Sequence, residues 1–203
     1  MEAVIKFRCR WDHEPIDNYL KSKELELLNI WRSGLITRGV IGVDSNNLGF
    51  GNISFRSGNS NIFFITGSQT GHLPQLSDKD LAMVTDYSIP ENFVRCSGLN
   101  KASSETLTHA VFYHHLPECK AVIHIHSRLI WEKYQSIYLT TDPDAQYGSV
   151  QLAQSLEKLI QKESSIDNKV IILGGHPDGI VIYGDDLDGV GNMIIKLLDR
   201  EMS

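Results

Sequence analysis

Along this chain, runs in which apolar and polar residues alternate give way to runs in which apolar residues recur every three or four positions. Val4 to Arg10 alternates apolar and charged side chains and reads as a short edge strand. Pro15 to Trp31 carries Ile16, Leu20, Leu25, Leu27, Leu28 and Trp31 at helical spacing, and Gly34 stops that helix. Asn52 to Arg56 and Asn61 to Thr66 are strands joined by a hairpin turn, Ser57-Gly58-Asn59-Ser60. Leu76 to Leu81 begins a helix of one or two turns, and Ala82 to Thr85 either extends it or opens a strand. Ser103 to His115 reads as a helix closed by Pro117, and Ala121 to His126 as a compact apolar strand. An amphipathic helix follows over Gln146 to Glu163, then strands at Lys169 to Leu173 and Ile180 to Tyr183, and a closing helix at Asp188 to Arg200. This interleaving predicts an α/β fold with a central mixed or antiparallel sheet flanked by helices. The reading is a single domain over residues 1–203, with an extra strand within residues 1–14.

A chain of 203 residues buries enough surface to need no disulfide framework. Its 41% hydrophobic and 22% charged content is that of an ordinary globular protein, which removes the disordered class. The net charge of −6, without a cluster of Lys and Arg, argues against nucleic acid or an anionic membrane as partner. Cys9, Cys96 and Cys119 are odd in number and widely separated, which fits reduced thiols. The first residues lack the layout of a signal peptide, and no stretch approaches the ~20 apolar residues of a membrane span. The expected location is the cytoplasm.

The candidate chemistry begins at Val122-Ile123-His124-Ile125-His126. Residues two apart on a strand share a face, so His124 and His126 project together about 6.7 Å apart along the backbone, while Ile123 and Ile125 point into a core. Two imidazoles placed this way can converge on one ion; two strand histidines satisfied by hydrogen bonds are the plain alternative. His176 follows the apolar run Val170 to Leu173 and stands in Gly174-Gly175-His176-Pro177-Asp178-Gly179. It is either a turn residue or a third ligand, and three histidines with an open fourth position would make a catalytic zinc-type site. Glu105 and His109 share a helix face four residues apart. Glu105 in a first turn is favoured by the helix dipole without any further role, yet Ser103 and Ser104 beside it also suit an anion. His109 reads equally as a supporting partner of the site or as a core histidine.

Taken in order, these blocks resemble the class II aldolase/adducin family, from about Leu28 to the C-terminus. The resemblance rests on Gly51-Asn52-Ile53-Ser54-Phe55-Arg56, Ile65-Thr66-Gly67-Ser68, Ser103-Ser104-Glu105-Thr106-Leu107-Thr108-His109, Ala121 to Ser127, and the glycine-flanked His176. It implies a three-layer fold and a homotetramer with active sites at subunit contacts. It implies Zn2+, or another divalent ion such as Mn2+ or Co2+, held by His124, His126 and His176, with Glu105 as general acid/base. Asn52, Thr66, Gly67, Ser103 and Ser104 would cradle a substrate phosphate, and the chemistry would run through an enediolate. Three features depart from the family pattern: Pro177-Asp178 between His176 and Gly179, a short interval from His126 to His176, and Gln69-Thr70-Gly71 after the Thr-Gly pair.

The resemblance points first to a carbon–carbon lyase, an aldolase cleaving a small ketose phosphate. Alternatives are a carbon–oxygen lyase of the methylthioribulose-1-phosphate dehydratase type, and a 4-epimerase, which typically carries Asp where this chain has Glu105. A non-catalytic module like an adducin head is disfavoured by the presence of Glu105 and all three histidines. Tyr113, Tyr134, Tyr138 and Tyr147 are candidates to reach a neighbour's site, with ordinary packing as the alternative for each.

Overall fold

The computed structural model describes residues 5–56, 58, 60–162 and 169–202. In chain order the elements are β1 (Arg8–Asp12), α1 (Ser22–Thr37), β2 (Gly42–Val43), β3 (Gly49–Phe50), β4 (Asn52–Arg56), β5 (Phe63–Thr66), β6 (Leu81–Ser88), β7 (Phe93–Ser97) and α2 (Thr106–His115). They continue as β8 (Ala121–His126), α3 (Arg128–Tyr134), β9 (Leu139–Thr140), α4 (Val150–Lys162), β10 (Val170–Ile172), β11 (Gly179–Gly184) and α5 (Leu187–Met202). Nine strands form one sheet in the order β1-β7-β6-β5-β4-β8-β11-β10-β9, and β2 and β3 make a separate hairpin. Pairing is antiparallel through the middle of the sheet and parallel at its two edges, β1 with β7 and β9 with β10. The expected mixed α/β sheet is therefore present.

Strand alternation sorts the core into two layers. Ile53, Phe55, Ile123, Ile125, Ile180 and Ile182 face one side, where α1, α3 and α5 bring Leu28, Leu35, Ile130, Val190 and Ile194. Val122, Val181 and Tyr183 face the other, covered by α2 and α4 through Val111, Phe112, Leu152 and Leu156. Residues 122, 124 and 126 of β8 thus share the α2–α4 side. On β4 the residues of that side are Asn52, Ser54 and Arg56, all buried, so a polar strip runs beneath α2.

Several local expectations are corrected. The N-terminal strand is an edge strand, but it spans Arg8–Asp12 and not Val4 to Arg10; Val4 lies outside the described residues. Helix α1 starts six residues after Ile16, which is in a turn of its own accepting from the amides of Tyr19 and Leu20. Its start is set by Glu24, whose carboxylate accepts the Lys21 backbone N–H at 3.2 Å. Gly34 does not end it. The stop comes at Gly39, which takes φ +69° and lets Val40 N–H reach back to the Leu35 carbonyl at 3.2 Å. Residues 82–85 belong to strand β6 after a short 3-10 turn at Asp78–Asp80. Ser103 and Ser104 precede α2, and Glu105 is its N-cap residue and not part of its first turn. The turn at Ser57 and Asn59, and the helix end at Glu163, lie outside the described residues.

A buried arginine holds the loop after the Thr66-Gly67 pair. Arg32 on α1 is 1% exposed and donates to the carbonyls of Thr70 (2.6 Å) and Leu73 (2.9 Å). Burial pushes its pKa down to about 10, which leaves it charged at neutral pH. Cys9, Cys96 and Cys119 are free thiols, and β1 brings the Cys9 and Cys96 sulfurs to 3.8 Å. Among the described residues no helix is long and apolar enough to cross a membrane.

Helices α1 and α5 pack so closely that a Cβ on Gly191 would stand 2.2 Å from the Trp31 ring, whereas Gly34 has open space around it. Gly191→Ala is expected to destabilise the fold by about 1–3 kcal/mol, because the overlap outweighs the gain in helix propensity. Gly34→Ala is expected to stabilise it by about 0.5–1 kcal/mol. Urea unfolding of both variants beside the parent checks the pair, and equal midpoints would contradict this helix packing.

Candidate metal centre

The site grows from β8. His124 and His126 leave the strand on its α2–α4 side, with His124 opposite Asn52 of β4 and Val181 of β11, and His126 opposite Gly179. Their neighbours Ile123 and Ile125 enter the opposite core layer, as alternation requires. His176 arrives in the tight turn before β11. Its carbonyl accepts the Gly179 N–H at 2.9 Å, and its N–H donates to the Leu173 carbonyl at 3.1 Å. Asp178 takes φ +67° to complete the turn, so Pro177-Asp178 closes a loop and does not push His176 out. A Cβ on Gly179 would meet the His176 ring at 2.5 Å, which is why glycine stands there.

The ligand atoms of His124, His126 and His176 all lie within 4.8 Å of one another. Ring centroids are 5.0, 4.9 and 4.7 Å apart for the pairs 124–126, 124–176 and 126–176. The Nε2 atoms of His126 and His176 are 3.1 Å apart. Two imidazole nitrogens each ~2.0–2.1 Å from one tetrahedral ion would stand about 3.3 Å apart, so the spacing suits a shared divalent cation. Both nitrogens of His124 are buried without a hydrogen-bond partner. Burial holds all three imidazoles neutral: His126 falls to about 3, His176 to about 4 and His124 well below its ordinary value, with the neighbouring histidines adding to the effect at His124 and His126. Neutral rings with free lone pairs are the form in which histidine binds metal.

Glu105 is 4% exposed. Its Oε2 accepts from the Thr108 hydroxyl at 2.8 Å, and its Oε1 is buried without a partner. Burial raises its pKa, while the Thr108 hydroxyl, the Gly148 backbone amide and the Lys6 charge pull it back. Asn52 donates to Ser103 Oγ at 3.2 Å and leaves its own Oδ1 unpartnered. Thr66 Oγ1 accepts the Ile53 N–H at 3.3 Å. Gly67 forms a bridge with Ala102, which sets the Thr-Gly loop beside the Ser103-Ser104 turn. A side chain at Gly67 would collide with Asn100 and the Asp80 carbonyl at 2.6 Å.

Residues 43–197 match the model of the Class II Aldolase and Adducin N-terminal domain. The chain belongs to the class II aldolase/adducin family. Over 78 residues it is 35% identical to a Mycoplasma pneumoniae protein named "Probable L-ribulose-5-phosphate 4-epimerase UlaF", a match spanning 38% of this chain and only 30% of that protein's length. An L-fuculose 1-phosphate aldolase shares its fold with TM-score 0.68 at 17% identity, covering 91% of this chain and 85% of the other. The L-fuculose-1-phosphate aldolase of Thermus thermophilus superposes with TM-score 0.62 at 18% identity, covering 90% and 92%. A sugar-phosphate aldolase from Thermotoga maritima gives 0.65 at 14% identity, covering 89% and 92%. Identities this low carry the fold alone. The family includes aldolases and epimerases, and its enzymes are typically metal-dependent.

Two groups near the centre carry no signal in the sequence that would place them there. Tyr147, a candidate donor to a neighbour, instead packs its ring 5.3 Å from the His176 ring of its own chain. Phe50 lies 5.2 Å from the His126 ring. Tyr134 and Tyr138 stack on each other at 5.1 Å, and Tyr113 is buried in the α2 layer. His109 is fully buried, its Nδ1 2.6 Å from Ser54 Oγ, which in turn is 2.7 Å from the Tyr113 hydroxyl.

Burial pulls His109 down to about 3, against ~6.5 in an unfolded chain. A group with a depressed folded pKa leaves stability intact above the unfolded value and removes it as pH falls toward the folded one. His109 should therefore cost about 2 kcal/mol of stability between pH 8 and pH 5. Urea unfolding of metal-free wild type and His109→Gln at both pH values checks this. The variant should lose less stability on acidification, and identical losses would mean that His109 is not buried in the neutral form.

Proposed function

We propose that this protein is a metal-dependent aldolase that cleaves a small ketose phosphate. The observation that carries the reading is the convergence of His124, His126 and His176 with both His124 nitrogens buried and free. In this reading the three histidines hold Zn2+ or another divalent ion such as Mn2+ or Co2+, leaving a coordination position for substrate. Bound there, the cation supplies Lewis-acid stabilisation of the negative charge that develops on substrate oxygens. Glu105 moves the proton: its Oε1 has no hydrogen-bond partner, and burial raises its pKa above the ordinary carboxylate value. Asn52, Thr66, Gly67, Ser103 and Ser104 form the phosphate cradle, supported by the Gly67–Ala102 bridge and the Asn52–Ser103 hydrogen bond. His109, held by Ser54 in a chain that runs on to Tyr113, supports the centre as a buried neutral neighbour of His124. A homotetramer in the cytoplasm completes the reading, as the family resemblance implies.

A 4-epimerase is the second reading, favoured by the similarity to the Mycoplasma pneumoniae protein of that name. Against it stands Glu105, since the epimerases of this family typically carry Asp there.

The deciding measurement is proton–deuterium exchange of dihydroxyacetone phosphate in heavy water, followed by NMR with and without a chelator. Exchange that the chelator abolishes supports the aldolase reading; a metal-loaded protein that exchanges no proton but interconverts L-ribulose 5-phosphate would transfer it to epimerisation. Glu105→Gln is expected to keep its metal and lose about 10²–10⁴-fold in exchange rate. His126→Ala is expected to lose tight metal binding, measured by elemental analysis after dialysis, because two remaining ligands hold such an ion poorly. Full metal occupancy in that variant would sink the ligand assignment.

A further inference from the structure

The N-terminal segment runs beside the centre and is fixed at Lys6 and in the two residues that follow it. Phe7 is buried in the α2–α4 core layer, the Lys6 carbonyl accepts from Asn92 Nδ2 at 2.8 Å, and the Arg8 N–H donates to the Asn92 carbonyl at 2.8 Å. From this anchored backbone the Lys6 ammonium reaches a residue 141 positions away. It donates to the Tyr147 carbonyl at 2.8 Å and lies over the Tyr147 ring, 4.1 Å from its centroid. The Tyr147 ring in turn lies 5.3 Å from that of His176 at an interplanar angle of 34°.

The residues around Tyr147 touch both halves of the centre. Gly148 takes φ +63°, and a Cβ there would stand 3.4 Å from the Ser104 carbonyl and 3.7 Å from Glu105 Oε1. Two residues earlier than Tyr147, the Ala145 carbonyl lies so close to Gly175 that a side chain on Gly175 would meet it at 2.2 Å. One stretch, residues 145–148, therefore bridges the loop of the third histidine and the turn that carries Glu105.

We propose that Lys6 is a positioning residue of this centre: by gripping Tyr147 it fixes the 145–148 stretch against His176 and Glu105, so that the chain's own N-terminal segment sets the orientation of a ligand and of the acid/base. The inference rests on the reading of the centre given above. Outer partners of metal-binding histidines act in this manner, by limiting the ring orientations a ligand can adopt. The Lys6 charge also bears on the acid/base, since the ammonium favours ionised Glu105. Arginine at this position would keep the charge, a donor for the carbonyl and a planar group for the ring.

The test compares Co2+-loaded wild type, Lys6→Ala, Lys6→Arg and Arg8→Ala. Arg8 is the control, an exposed side chain two residues further along at the start of β1, whose ion-pair partner is Glu91 at 3.9 Å. In Lys6→Ala the amides of residues 145–149 are expected to exchange with solvent about tenfold faster. The visible Co2+ spectrum should change, and Co2+ affinity should fall about tenfold. Lys6→Arg should return both toward wild type, and Arg8→Ala should resemble wild type throughout. Exchange of dihydroxyacetone phosphate protons by Lys6→Ala should lose kcat with KM held. An unaltered Co2+ spectrum with unaltered amide exchange overturns the proposal. So does a rise in KM alone, which would make Lys6 a direct substrate ligand, and so does an equal response from Arg8→Ala. Wild-type protein that binds Co2+ but exchanges no substrate proton would count against the aldolase reading, while the amide and Co2+ arms would still decide the role of Lys6.

Discussion

Removing an imidazole nitrogen from water without giving it a partner costs about 1–3 kcal/mol, and His124 has both of its nitrogens in that condition. The ring sits in the middle of the sheet, on the strand flanked by β4 and β11, where no solvent reaches it. Its strand neighbours are mixed: Val122 beside it and Val181 across from it on β11 are aliphatic, and Asn52 across from it on β4 is polar. A core position that gives up aliphatic packing for a bare lone pair and an unpartnered N–H is stabilised only when something else uses that lone pair. His126 and His176, neutral and turned toward the same point, supply the company that a single cation needs. The proposed metal is thus the ingredient that makes the energetics of this layer consistent.

The remainder of the α2–α4 side follows from that choice. A polar centre beneath a helix needs polar neighbours with their own partners, and β4 provides them by alternation. Its apolar residues Ile53 and Phe55 serve the other layer, while Asn52, Ser54 and Arg56 meet Ser103, His109 and the Tyr113 carbonyl. Arg32 performs the same service for the loop after Thr66-Gly67, satisfying carbonyls that would otherwise be stranded under α1. The centre is consequently built on hydrogen-bonded strands, with short turns bringing in only the groups that the strands cannot supply.

How much of this is legible in the sequence depends on the range of the interaction. The shared face of His124 and His126 follows from a period of two, and the strand delivers it. The pairing of Asn52 with His124, and of the Thr-Gly loop with the Ser103 turn, is legible only through the order of motifs, because strand neighbours are set by topology and not by sequence distance. Local punctuation misleads where two glycines compete. Gly34 looks like a stop, but a helix interior tolerates glycine at modest cost, and termination requires the left-handed backbone that Gly39 adopts. Glu105 falls one position outside the expected helix turn because Ser103 and Ser104 are spent on the turn itself. The contact of Lys6 with Tyr147 leaves no signal, because 141 residues separate the two.

This division also accounts for a fold held in common with proteins only 14–18% identical to this chain. Strand-borne histidines depend on alternation and on a few glycines at close approaches, constraints that many sequences can meet. The groups around them sit on the Gln69-Thr70-Gly71 loop, the Pro177-Asp178 turn, the 145–148 stretch and the N-terminal segment. None of these carries His124 or His126, so each can change while β8 keeps those two rings in place. A centre with two of its histidines on a central strand and much of its surroundings on loops can keep one kind of chemistry while changing the molecule it accepts. In the proposed reading, substrate choice is therefore to be sought in the loops, and reaction type in β8 and the start of α2.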